Sequence, residues 1–156
     1  MDRVEILGGL IKNIDNVNFK NFSKNFDERL ILQKTVYFLQ IFGLNLGYFF
    51  NWYIHGPYST DLAKDGYILE KKINTIPKMK ITDENLKKSL EKFNFFLDKY
   101  KNNPAQLEIL ASINFLHKLA KKKPEIKNII IIQKNFKENE FNSAWLYLEK
   151  NNLISE

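Results

Sequence analysis

Apolar residues recur at three- and four-residue spacing along most of this chain, the signature of helices with one buried face. Val4, Leu7, Ile11 and Ile14 form the first such stripe and predict a helix from Arg3 to Ile14. Gly8 and Gly9 interrupt it, each at about 1 kcal/mol relative to alanine in a helix interior. The polar segment NVNFKNFSKNF spaces Phe19, Phe22 and Phe26 for a short helix or an ordered loop pinned to the core. Asp27 then reads as the cap of a helix from Glu28 to Phe42, closed by Gly43. Its buried stripe is Leu32, Thr35, Val36, Leu39 and Phe42; Gln33, Lys34 and Tyr37 fall off the centre and place polar groups at its edge.

The period changes after Gly47. Tyr48 to Ile54 is aromatic, includes a β-branched residue and predicts a strand, with Trp52 and Ile54 on one face and Tyr53 and His55 on the other. Gly56 and Pro57 read as the turn. Ser59 is placed to cap a helix from Thr60 to Glu70, with Asp61 in its first turn. Residues KKINTIPKMKIT alternate around Pro77 and fit a short strand or edge segment. Thr82 or Asp83 caps a helix to Tyr100 that turns Leu86, Leu90, Phe93 and Leu97 inward. A three-helix rhythm follows: Pro104 to Lys121, Pro124 through NIIIIQKNF, and Glu140 to Lys150. The last two have the cadence of a helix-turn-helix or winged-helix module. No hairpin-like sequence follows them in the chain, so a wing would have to come from Ile73–Ile81, and the candidate recognition helix is acidic on balance. The expected architecture is a single domain, mainly α with a small β element and a winged-helix-like core.

The most specified stretch is residues 28 to 70. LQKxxYxxQ (Leu32, Gln33, Lys34, Tyr37, Gln40) is followed by xWYxxGPYSxxLAxD (Trp52, Tyr53, Gly56, Pro57, Tyr58, Ser59, Leu62, Ala63, Asp65). This pairing resembles the YwgA-like proteins and, more distantly, the Panacea domain of SocA-like antitoxins; LEILASINFLHKL from Leu107 extends the likeness loosely towards the C-terminus. The resemblance implies a regulator-like fold and an antitoxin or defence-associated binding module. On that reading Gln33, Lys34, Tyr37, Trp52, Tyr53, His55, Tyr58, Ser59 and Asp65 form a docking surface for a toxin or effector protein.

Composition narrows the chemistry. The chain of 156 residues has no cysteine, which excludes disulfides, thiol nucleophiles and cysteine-based metal sites; His55 and His117 alone cannot form an imidazole cluster. No Gly-rich phosphate cradle is present. The paired carboxylates sit at helix starts, where the dipole explains them. Neither a metal, a cofactor nor a catalytic residue is expected, and His55 reads as a structural hydrogen-bonding group rather than a catalyst. No run reaches the ~20 apolar residues of a membrane span, and the N-terminus reads as neither signal nor transit peptide, so a cytoplasmic protein without a membrane partner is expected.

Charge is uneven. Sixteen lysines face six acids between Lys71 and Lys137, a local charge of +10, while the chain as a whole carries +6. Such a sector attracts polyanions through counterion release. With 22 lysines against 2 arginines and many Asn, Ile and Phe, AT-rich coding explains it equally well. Lys121, Lys122, Lys123 and Lys127 are the candidate phosphate contacts. The leading expectation is a non-enzymatic regulatory or adaptor protein that docks on a protein and can touch nucleic acid. The alternatives are a sequence-tolerant nucleic-acid-binding subunit of a larger complex and a winged-helix-like transcriptional regulator.

Overall fold

The computed structural model describes residues 1–155. Seven helices dominate: α1 (Arg3–Ile14), α2 (Phe26–Ile41), α3 (Thr60–Lys72), α4 (Glu84–Leu97), α5 (Pro104–Lys118), α6 (Lys123–Asn128) and α7 (Glu138–Lys150). Single 3-10 turns occur at Phe22–Lys24 and Ile73–Thr75, and α6 widens into a π-helical turn at Ile129–Gln133. Two three-residue strands, β1 (Asn51–Tyr53) and β2 (Gly56–Tyr58), form an antiparallel hairpin. The molecule is a mainly α single domain with one small sheet.

Local chemistry sets the helix starts. Asn25, Ser59, Asp83 and Asn103 each accept a hydrogen bond from the backbone amide three residues on, and Asp2 forms a reciprocal capping box with Glu5. Helix α2 therefore begins two residues earlier than the sequence suggests, because Asn25 takes the capping role and Asp27 falls in the first turn.

Helix α5 is the hub. Leu107, Ile109, Leu110, Ala111, Ile113 and Leu116 are all buried, so the helix is covered on nearly every side. It packs on α2, on α7 and on the hairpin, while α2 also meets α3 and α4. The stripe of α2 is buried as its spacing implies, through Leu32, Thr35, Val36 and Leu39. Phe38, also fully buried, packs at a tilt against Phe96 of α4 with ring centroids 4.9 Å apart.

Glycines in α1 have a packing role that offsets their low helix propensity. A Cβ at Gly9 would lie 2.9 Å from the Met79 Cβ, and one at Gly8 would lie 3.0 Å from Ile76 and Leu69 side-chain atoms. The segment from Ile76 to Met79 runs flush along α1, and the Met79 amide bonds the Gly9 carbonyl at 3.0 Å. This contact corrects the strand reading of residues 71–82: Lys71 and Lys72 end α3, Ile73–Thr75 form a 3-10 turn, and the residues after it pair with no strand. Among the described residues, then, no wing accompanies the α6–α7 pair. Leu86 is likewise not inward, standing in the exposed first turn of α4.

Candidate functional site

The hairpin and the α2 face beneath it form the site. The turn falls on Ile54 and His55, two residues earlier than the sequence suggests; Gly56 and Pro57 belong to the returning strand, with Trp52 opposite Pro57 and Tyr53 opposite Gly56. Proline lacks an amide donor, and a two-stranded sheet consists only of edges, so Pro57 is tolerated. Gly56 has a φ of +87°, and a Cβ there would come within 2.4 Å of Ser112 Oγ on α5. Both the backbone angle and the space require glycine.

Between α2 and α3 the chain is mostly extended, yet only three residue pairs close into a ladder. Its remaining backbone groups need partners, and side chains on one stripe of α2 supply them. Gln33 Nε2 donates to the Ser59 carbonyl and Gln33 Oε1 accepts from the Ser59 amide, both at 2.9 Å. A carboxamide carries one donor side and one acceptor side, so it pairs with a peptide unit as another strand would. Gln40 does the same for Tyr48, donating to its carbonyl at 3.0 Å and accepting from its amide at 2.9 Å. Lys34 Nζ donates to the Pro57 carbonyl at 2.6 Å. The Tyr37 hydroxyl donates to Asn114 Oδ1 at 2.6 Å, and Asn114 in turn donates to the Leu153 carbonyl. LQKxxYxxQ is thus a row of clamps that fixes the hairpin, the segments flanking it and α5 onto α2.

This arrangement corrects the docking set. Gln33, Lys34, Tyr37, Ser59 and Asp65 are buried and offer no outer surface to a protein partner in this conformation. Asp65 receives the Tyr48 hydroxyl at 2.6 Å and Arg3 Nε at 3.1 Å, tying α1 and the extended segment to α3. The remaining members stay accessible. Tyr53 is 44% exposed, His55 is exposed, and Trp52 and Tyr58 are half-buried. Tyr58 packs edge-on against Tyr53, and Trp52 stacks on Phe115.

Two residues that the sequence did not reveal complete the site. Glu108 on α5 receives Lys134 Nζ at 2.9 Å and lies 3.1 Å from His55 Nδ1. Lys134, just past the π-helical turn, also donates to the Ile54 carbonyl and lies 5.3 Å from the Trp52 ring centre. Glu108 carried a faint signal, as an acid inside the apolar run LEILA, whereas Lys134 was one lysine among many. No Ser or Tyr hydroxyl hydrogen-bonds His55 among the described residues; its ring meets Phe26 edge-on at 4.9 Å.

Burial drives the Lys34 ammonium down to about 7, against the opposing pull of Glu108 and with a smaller push from Lys134. Between that value and the 10.5 of an open chain, the unfolded state binds a proton that the folded state does not, so stability rises with pH. Lys34→Met removes this dependence. The expected result is that wild type gains on the order of 2 kcal/mol relative to Lys34→Met between about pH 7 and pH 9.5, measured by urea denaturation. Above about pH 10 the buried hydroxyls of Tyr37 and Tyr48, which burial pushes up, act in the opposite sense.

The lysine group lies elsewhere. Lys121 pairs with Glu125 at 3.6 Å, Lys127 pairs with Glu138 at 2.5 Å, and Lys123 lies 4.9 Å from the Trp145 ring centre. Three of the four candidate phosphate contacts are therefore engaged within the molecule, and Lys122 is exposed at the start of α6. Among the described residues no cluster of three His, Asp or Glu is placed to hold a metal ion. No described helix is long and apolar enough to cross a membrane. Comparison of the chain with protein-family models, with curated proteins and with solved structures finds no match.

Proposed function

We propose that this protein is a non-enzymatic binding module of the regulatory or antitoxin type implied by its resemblance to YwgA-like and Panacea sequences, and that it docks on a protein partner through the outer face of the hairpin. The observation that carries this reading is Ile54. It is 85% exposed at the tip of a hairpin whose backbone is held from beneath by Gln33, Lys34 and Lys134. An apolar side chain held outward on a fixed backbone loses little conformational freedom on binding, which favours contact over solvation. Tyr53 and Phe26, both close to half exposed, widen the apolar area around it.

The charge at the tip selects the partner. Arg29 and His55 stand beside the hairpin, while the nearly buried Lys134 side chain holds Glu108 from within. The matching surface is an apolar side chain flanked by acids. Nucleic-acid contact is a subordinate part of the proposal, since the lysines that would carry it are mostly paired internally.

Site-specific photocrosslinking tests this. With a photoreactive residue at Ile54, the expected product is one crosslinked protein, competed away by excess wild type and lost in Tyr53→Asp. The same residue at Phe95, 82% exposed on α4, should not trap that protein. Equal trapping at both positions, or none at Ile54, would count against the hairpin as the docking element.

A further inference from the structure

A second feature lies on the α2–α3 side of the hairpin. A cavity of about 300 Å³ opens there among Phe22, Phe26, Arg29, His55, Tyr58 and Tyr67, with buried Lys34 also in its lining. Its size is at the small end of ligand pockets, enough for a single ring and one attached group. Its walls are aromatic and its charged side chains are all basic: Arg29 and Lys34 line it, and no carboxylate does.

Arg29 is the unusual member. Its guanidinium is half-buried and donates through one terminal nitrogen to the carbonyls of Phe22 and Ser23, at 3.2 and 2.8 Å. Among the described residues no acid lies within ion-pair distance of it. Its second terminal nitrogen and Nε have no hydrogen-bond partner among the described residues, and together they make the fork that suits a carboxylate or phosphate. The Tyr58 and Tyr67 hydroxyls, on the same cavity, likewise have no hydrogen-bond partner among the described residues. Tyr58 lies near enough to Arg29 for the cation to oppose the rise that burial imposes on its hydroxyl.

Uncompensated donors around an apolar slot call for a ligand with a flat face and an anionic end. We infer that this cavity binds a small aryl anion, a single aromatic ring bearing a carboxylate or phosphate, with the ring between Phe26 and Tyr67 and the anion on Arg29. This goes beyond the docking reading and does not depend on it. The carboxylate and phosphate versions share the same recognition chemistry and are separated by the choice of probe.

The test is an amide chemical-shift titration of the full chain with phenyl phosphate, benzoate and neutral benzyl alcohol. The inference expects saturable shifts around Phe26, Arg29, Tyr58 and Tyr67 with one of the two anions, at a Kd of about 1 mM or tighter. Benzyl alcohol should bind at least about tenfold more weakly. Arg29→Gln should weaken the anion about tenfold or more, at unchanged or lower ionic-strength dependence. Because Arg29 also ties down Phe22 and Ser23, Tyr67→Leu provides a second variant at a half-exposed position, and it should lower affinity severalfold with the fold intact. No saturable shift with either anion, benzyl alcohol bound as tightly as the anions, or affinity unchanged in both variants would each overturn the assignment.

Discussion

Replacing Gly56 with alanine is expected to destabilise the protein by about 3 kcal/mol, the largest effect of any single methyl added to this chain. Two independent terms contribute. An L-residue at φ +87° is strained by roughly 1–2 kcal/mol, and the new Cβ would overlap Ser112 Oγ, only 2.4 Å away, forcing the hairpin off α5. The terms can be separated. Ser112 Oγ is buried and has no hydrogen-bond partner, so Ser112→Ala alone should be neutral or slightly stabilising. In the Gly56→Ala background it should restore about half of the loss, since the nearest Ser112 atom left would be the Cβ at 3.5 Å. Urea denaturation of the four proteins of this cycle gives both terms. Strict additivity would mean that the hairpin does not sit against Ser112.

Gln33→Met is expected to cost about 2 kcal/mol despite conserving volume. The substitution removes the donor and the acceptor that satisfy the Ser59 amide and carbonyl. The Ser59 amide is left buried without a partner, at about 1–3 kcal/mol, while the carbonyl keeps its bond from the Ala63 amide at 3.1 Å. A surface glutamine would tolerate the same change within about 0.5 kcal/mol. The loss should also be local at first: Ser59 caps α3 through its side chain, so the hairpin and the first turn of α3 loosen together while α5 and α7 keep their packing.

The helices were legible because their caps and stripes agree. Ser59, Asp83 and Pro104 announce starts, and the apolar spacing from Leu32 to Leu39 announces a face. What the sequence concealed was the direction of the polar groups. Gln33, Lys34, Tyr37 and Gln40 share a helical face by spacing alone, but periodicity treats a polar residue as solvent-facing. Here Gln33, Lys34 and Gln40 neighbour a stretch of backbone with too few ladder partners and each meets a peptide unit, while Tyr37 meets the Asn114 side chain, so burial becomes favourable. Nothing in a one-dimensional pattern distinguishes a glutamine that faces water from one that replaces a strand.

The strand was over-extended for a related reason. Tyr48 to Ile54 has strand-forming residues throughout, but Gln40 occupies the groups of Tyr48 and only Asn51–Tyr53 finds a true strand partner. In the site, Lys134 and Glu108 come from elements 80 and 53 residues away from the hairpin positions they hold, and no local signal encodes such meetings. The lysine group shows the converse. Its density suggested a free polyanion surface, yet Glu125 and Glu138 stand within reach of Lys121 and Lys127 once α6 and α7 are formed.

Backbone amide hydrogen exchange at Ser59 and Tyr48 bears most directly on the claim that the polar face of α2 is an internal scaffold and the hairpin tip the accessible element. In wild type both amides should be protected nearly as well as the α5 core, while Ile54 exchanges freely; Gln33→Met should release Ser59 and leave Tyr48 slow. Fast exchange at Ser59 in the unaltered protein would contradict this, because Gln33 would then be open to solvent and the hairpin would not be anchored.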